Sequence, residues 1–248
     1  MRIKNCIICG SEKWYRSSGV YKCLKCKHTY KDYKGDGLNY HKKEYRNNNH
    51  GTRTNKELKN GLFTQKFHNT RKEICEKRIN VIEGFINECD SLLDIGAGGG
   101  TFVNLIKDKF SIVECQEISD ICVNNLNKLG YPTYHGDFNS LNFNKTYDIV
   151  TCWHVLEHIK DVHLFVNKVS KITNKYLVLE VPLIKSKGTR VRNITKNQDK
   201  DWDGHYHYFS QESITELFKN SFHILDLQEP GIQSPSLTVL LKSKKYNI

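Results

Sequence analysis

Three groups of residues have types and spacings that can do chemistry. The first is a pair of cysteine knuckles, Cys6-x-x-Cys9 and Cys23-x-x-Cys26. Two such pairs can place four thiolates tetrahedrally around one zinc ion, with no position left open for a substrate water. The second is a glycine run, Gly96, Gly98, Gly99 and Gly100, directly after the apolar stretch Ser91 to Ile95. Glycine lets a backbone approach a bound group closely, and a helix starting there offers unpaired N–H groups and the positive end of its dipole. A pyrophosphate fingerprint would need G-x-G-x-x-G, but Thr101 stands at the third glycine's place. Glu117 follows Gly96 by 21 residues, and a carboxylate at that distance has the acceptor oxygens to hold both hydroxyls of a ribose. The third group is histidine-rich: His154, His158, His205 and His207. Histidine suits proton transfer near neutral pH. His154, Glu157 and His158 also carry the H-x-x-E-H spacing of a metal site, although Glu157 and His158 can equally start a helix.

The elements that must position these residues alternate between strand and helix periodicity. A helix is expected over 64–87, with Phe67, Ile74, Ile79, Ile82 and Phe85 inward. Strand 91–95 leads through the glycine turn into a helix over 101–109. Strand 111–117 follows, then a helix over 120–129 with Ser119 as its N-cap. Strand 131–135 ends at Gly136-Asp137-Phe138. Strand 147–153 runs into His154, and a helix over 162–173 leads to strand 175–181, which Pro182 ends. Ser210 starts a helix over 211–219, and 222–228 and 236–242 read as the last strands. Around the cysteines, Val20 to Lys22 and Thr29 to Lys31 read as short flanking strands.

In order along the chain, DIGAGGG, EIS, GDF, YDIV and HVLEH resemble the class I S-adenosylmethionine (SAM) methyltransferases over about residues 62–243. The resemblance implies an α/β, Rossmann-like fold: a seven-stranded mixed sheet with helices on both faces and an antiparallel final strand. It implies SAM as cofactor, held by Asp94, Gly96, Ala97, Gly98, Gly100, Thr101, Phe102, Glu117, Ile118, Asp137, Phe138 and Trp153. Asp137 would contact the adenine amino group, with Phe138 beside the ring. The turn after strand 147–153 lacks the Asn/Asp-Pro-Pro-aromatic pattern of nucleobase amino methylation. It also lacks the Pro-Cys nucleophile of pyrimidine carbon methylation. The segment is similar to ubiquinone O-methyltransferases, which carry Glu where His154 stands. A His-aromatic-Phe-Ser stretch like His207 to Ser210 lies near the acceptor in many small-molecule and sugar methyltransferases. Any of the four histidines could therefore serve as the base for an acceptor hydroxyl.

The chain has 248 residues and 38% hydrophobic content, enough for one large domain and a small appendage. The expected division is a zinc ribbon at 1–32, a linker or lid at 33–61 bearing Tyr33, Tyr40 and Tyr45, and a methyltransferase domain at 62–248. No apolar run is long enough to span a bilayer, and no secretory pattern opens the chain, so a cytosolic protein is expected. The net charge of +11 suits anionic partners. Lysine is dispersed, however, so nucleic acid is not the favoured one. Lys185, Lys187, Arg190, Arg192, Lys196 and Lys200 lie in a long insertion after strand 175–181 and would draw a phosphorylated acceptor. The leading expectation is O-methylation of a small polar acceptor, such as a nucleotide-activated or phosphorylated sugar of a surface polysaccharide. An RNA methyltransferase is the alternative, and a non-catalytic SAM-binding scaffold with the ribbon as a docking module is a third reading.

Overall fold

A computed structural model describes residues 4–17, 19–32, 65–183, 204–229, 232 and 236–246. The tyrosines of the expected lid, the six cations of the long insertion and Asp201 to Asp203 lie outside the described residues.

The described residues form two sheets. The smaller one begins with β1 (Trp14–Ser17), β2 (Val20–Cys23) and β3 (Thr29–Lys31). Next come α1 (Gln65–Ile86), β4 (Ser91–Ile95), α2 (Thr101–Ile106), β5 (Ile112–Glu117), α3 (Asp120–Lys128), β6 (Thr133–His135) and β7 (Tyr147–Trp153). They are followed by α4 (Val162–Ile172), β8 (Thr173–Pro182), β9 (His207–Tyr208), α5 (Gln211–Phe218), β10 (Phe222–Gln228) and β11 (Ser236–Ser243). The large sheet has the order β10-β11-β8-β7-β4-β5-β6. β4 to β8 pair in parallel, and β11 runs antiparallel to both β8 and β10. This is the expected seven-stranded mixed sheet of a class I methyltransferase.

Side-chain alternation along these strands divides the core in two. Leu92, Ile149 and Val178 pack on one face with α1, α2 and α3. Leu93, Val150 and Leu177 pack on the other with α4 and α5. Because neighbouring positions are both buried, the central strands are apolar almost throughout, as parallel strands covered on both faces must be. Two local expectations need correction. The helix after the glycine turn is short and tightens into a 3₁₀ turn at Lys107–Lys109. Ser119 does occupy the N-cap of α3, as expected, yet its hydroxyl makes no cap hydrogen bond.

The cysteine module is built into the large domain. β3 pairs with β9, a two-residue strand just before α5, in the register Thr29↔Tyr208 and Tyr30↔His207. The Lys31 amide donates to the Tyr206 carbonyl (2.9 Å), and the Ser210 hydroxyl donates to the Cys26 carbonyl (2.8 Å). Cys6, Ile8, Cys23 and Cys26 share the hydrophobic core that Phe209 and Ile214 also enter.

Candidate active site

The cofactor side is assembled at the carboxyl end of β4. Gly96, Gly98 and Gly100 all have positive φ, at 70°, 56° and 80°. A Cβ on Gly96 would lie 2.3 Å from Val155 Cγ2, so this turn and the residue after His154 touch directly. A Cβ on Gly98 would meet open space. The turn is tied to β5 on both sides. The Gly96 and Ala97 amides donate to the Gln116 carbonyl, and the Gly98 amide donates to Glu117 Oε2 at 2.8 Å. The other Glu117 oxygen accepts the Ile118 and Ser119 amides at 2.7 and 2.9 Å. Burial pushes the Glu117 carboxyl upward, and these three amides pull it back. The carboxylate therefore sits under the glycine turn, with one acceptor site left over on Oε2. Asp94, also buried, accepts from the Thr151 hydroxyl at 2.7 Å. Its carboxyl is pushed up to about 7 by burial, against the opposing pull of Thr151 and Arg78.

The remaining expected cofactor contacts divide. Thr101 bonds the ring of His68 at 2.8 Å, and Phe102 sits edge-on to Trp153 at 5.4 Å. Trp153 is covered on another side by the Arg78 guanidinium, 4.9 Å from its ring centre. Asp137, half-buried after β6, accepts from the Ser140 hydroxyl at 2.9 Å. Phe138 is not at the surface of the site. It is 1% exposed and packs between Phe143 and Phe165, so its ring supports the Asp137 turn from within the core and offers no face to an adenine.

A second cluster of ionisable residues forms where β7 and β8 end. His154 leaves β7 in the left-handed region, with φ at 57°, a conformation that costs a β-carbon-bearing residue about 1–2 kcal/mol. Its N–H donates to the Glu180 carbonyl (2.9 Å). Its ring lies between two buried carboxylates, with Nδ1 3.3 Å from Glu157 Oε1 and Nε2 3.7 Å from Glu180 Oε2. Burial alone would lower this imidazole, but the two carboxylates outweigh it and raise it to about 9. Glu157 is correspondingly held at about 2, because His154, His158 and His205 together overcome the upward push of burial. The expectation that His154 acts as a base is thereby corrected. Near neutral pH it is an imidazolium that neutralises Glu157 and Glu180, as Arg78 also does from α1 at 3.5 Å from Glu180.

His207 is corrected as well. It is fully buried, and both of its ring nitrogens are used. Nε2 faces the Lys160 carbonyl at 3.3 Å, so it carries the proton, and Nδ1 accepts from His28 Nε2 at 3.2 Å. Burial holds His207 down at about 4. It joins the cysteine module to the domain and has no nitrogen left for an acceptor. His158 and His205 remain at the site, half-buried, with ring centroids 4.7 Å apart. Arg78, His68 and Gln116 were not singled out from sequence. Arg78 alone left a trace there, as a cation between the inward positions Ile74 and Ile82 of one helix.

The four cysteines of the N-terminal module do converge. Cys6 and Cys26 Sγ are 3.6 Å apart, as are Cys9 and Cys23 Sγ. Thiolates about 2.3 Å from a tetrahedral zinc ion lie roughly 3.8 Å from one another, so the donor set fits that ion. The Ile8 and Cys9 amides point at Cys6 Sγ and the Cys26 amide at Cys23 Sγ, which suits sulfurs carrying negative charge.

A family profile described as "Methyltransferase domain" matches residues 67–221, well over half of the chain. The chain belongs to this family. As a methyltransferase it needs a methyl donor, and the open space over Gly98 and the spare acceptor capacity of Glu117 fit the nucleoside of SAM. No curated protein matches the sequence. Among solved structures, the chain is similar to magnesium protoporphyrin IX methyltransferase from Synechocystis PCC 6803 with bound SAH. The identity is 15%, covering 83% of this chain and 99% of that one, with a TM-score of 0.56. It is also similar to an S-adenosylmethionine-dependent methyltransferase from Clostridium acetobutylicum ATCC 824 (15% identity, 69% and 91% covered, TM-score 0.52). A third is the N-methyltransferase NodS from Bradyrhizobium japonicum WM9 (12% identity, 70% and 96% covered, TM-score 0.54). At these identities the likeness speaks to the fold. No helix among the described residues is long and apolar enough to cross a membrane.

Proposed function

We propose that this methyltransferase uses SAM to methylate an oxygen atom of a small polar acceptor. A nucleotide-activated or phosphorylated sugar of surface-polysaccharide biosynthesis is the class that best suits the net charge of +11. The observation that carries the reading is the buried Glu157 carboxylate, ringed by His154, His158 and His205 at the carboxyl ends of β7 and β8. In a doubly wound sheet that is where ligands bind.

SAM supplies a methyl group activated by its sulfonium, and the displacement needs little more than alignment. Glu117 takes a ribose hydroxyl on Oε2 and Asp137 the adenine amino group. The Gly96 to Gly100 backbone, with Ala97, Thr101, Phe102 and Trp153, encloses the rest, and Ile118 flanks Glu117. Phe138 acts from below by fixing Asp137. As the acceptor oxygen bonds to the methyl carbon, its proton passes to the cluster of Glu157, His158 and His205. His154 stays charged and holds Glu157 in place. Cys6, Cys9, Cys23 and Cys26 keep one structural zinc ion, and the reduced thiols this requires suit the cytosol.

The test is a screen with methyl-labelled SAM against pools of nucleotide sugars and of RNA. Label in the nucleotide-sugar pool is expected. Label confined to RNA, with binding that falls steeply as salt rises, would overturn the acceptor class. In calorimetric titration with SAM, Asp94→Asn and Glu117→Gln should each weaken binding at least tenfold. Unchanged isotherms would remove the cofactor assignment.

A further inference from the structure

Two buried imidazoles join the cysteine module to the turn that carries Glu157. His28 stands two residues past Cys26, His207 lies in β9, and both are fully buried. His28 Nε2 lies 3.2 Å from His207 Nδ1, and His207 Nε2 faces the Lys160 carbonyl at 3.3 Å. One residue earlier, the Tyr206 amide donates to the Glu157 carbonyl at 2.9 Å. Residues 206 and 207 therefore clasp the turn 157–160 at both ends. The same short segment is held to the module. β9 pairs with β3, the Lys31 amide donates to the Tyr206 carbonyl, and the Ser210 hydroxyl donates to the Cys26 carbonyl. Tyr206 packs with Tyr21 and Tyr30 from β2 and β3. A bridge between Leu183 and Phe209 adds a tie to the end of β8.

Stability alone does not call for these rings. His28 Nδ1 is buried with no hydrogen-bond partner among the described residues, a cost of about 1–3 kcal/mol that an apolar side chain would avoid. What the pair supplies is direction. In a neutral imidazole one nitrogen donates and the other accepts, so the bond from His28 fixes which His207 nitrogen carries the proton and where that ring points. The module is also one-sided. Cys6, Ile8, Cys23 and Cys26 enter the core that contains Leu156, Phe209 and Ile214. The other core, with Ala97, Phe102, Val103 and Trp153 beside the glycine turn, contains no described residue of the module.

We propose that the cysteine module is part of the acceptor-binding machinery: through His28 and β3 it sets residues 204–208 against the Glu157 turn, so that a metal ion on the four cysteines governs the acceptor side and leaves SAM binding unchanged. The proposal rests on reading this end of the sheet as the acceptor site. His28 is a positioning residue, since it reaches that site only through His207. A tetrahedral ion draws the two knuckles together. That fixes Cys26, whose carbonyl holds Ser210, and with it β3, whose edge holds β9. Without the ion the four sulfurs have no common partner, and β3 is released with its knuckle. A strand pair as short as β3 and β9 does not persist without such support. The glycine turn keeps its own ties to Gln116 and Glu117, so the cofactor cradle stays formed.

The test compares the full chain loaded with zinc, the same chain stripped with a chelator, and the His28→Leu variant. Amide hydrogen exchange over 204–208 should speed up at least about tenfold in the stripped chain and in His28→Leu, while 94–101 stays protected. Co²⁺ added to stripped His28→Leu should still give intense sulfur-to-cobalt charge transfer, which reports that its module is folded and loaded. SAM isotherms should be the same in every form. With methyl-labelled SAM and a nucleotide-sugar pool, His28→Leu should lose at least about tenfold in turnover at an unchanged KM for SAM. His28→Gln, whose amide can still donate to His207, should restore it. Unchanged exchange over 204–208, both on stripping and in His28→Leu, would overturn the proposal. So would an equal loss of protection over 94–101, which would make the module a general stabiliser, or a His28→Gln no better than His28→Leu. A wild type that labels only RNA removes the sugar acceptor, whereas the exchange measurement needs no acceptor and decides the role of the module by itself.

Discussion

Replacing Gly96 by Ala probes the link between the cofactor and acceptor sides of the site. The added methyl group meets two separate costs. The backbone there has φ at 70°, where a residue with a β-carbon pays about 1–2 kcal/mol relative to glycine. The new Cβ would also stand 2.3 Å from Val155 Cγ2, an overlap that one methyl group must relieve by moving, for about 1–3 kcal/mol more. The sum is about 2–5 kcal/mol. The two costs can be separated, because the Cβ and Cγ1 of Val155 are 3.6 and 3.7 Å away and make ordinary contacts. Trimming Val155 to Ala removes the clashing methyl and leaves the φ cost. Denaturant unfolding of Gly96→Ala, Val155→Ala and the double variant should then give a coupling of about 1–3 kcal/mol in favour of the pair. SAM affinity should fall in Gly96→Ala and recover in part in the double variant. Strictly additive stabilities would show that Val155 does not pack on the glycine turn, and the coupling of the two sides through it would be refuted.

The buried imidazole of His207 gives the fold an acid sensitivity of known sign. Its folded value near 4 lies below the ordinary 6.5, so the unfolded chain binds more protons. The stability it contributes is complete above about pH 6.5 and is lost as the pH falls towards 4, by up to about 3 kcal/mol. The difference in urea midpoint between wild type and His207→Phe should shrink across that window, and a flat difference would contradict the assignment. The cysteines should divide by reactivity. With zinc present Cys6, Cys9, Cys23 and Cys26 should resist alkylation and become labelled on chelation. Cys75, Cys89, Cys115, Cys122 and Cys152, all buried in the large domain, should stay unlabelled until it unfolds. Identical labelling with and without chelator would argue against the ribbon metal.

What could be read from the sequence was what local pattern encodes. β4, β7 and β10 begin and end where alternation and turn residues placed them, and the glycine turn with Glu117 announced a nucleoside site. The misreadings came from contacts between distant residues. Phe138 follows a motif aspartate, but Phe143 and Phe165 decide that its ring is buried. His154 has the type and place of a base, but its charge is set by Glu157 together with Glu180, which belongs to the next strand. His207 was grouped with the catalytic histidines because it opens the His-aromatic-Phe-Ser stretch. His207 lies in β9 and His205 just before it, and His28, 179 residues away, claims the buried one. β9, two residues long in a polar stretch, has no periodicity to detect.

The pairing of β3 with β9 also orders events during synthesis. The cysteine module is made first, and its turns and its β1–β2–β3 hairpins close within a few residues of one another. One edge of that small sheet then stays open until the chain has grown from Tyr30 to His207. An open strand edge invites pairing with other chains. The module therefore emerges as a half-finished surface that the chain around β9 must seal.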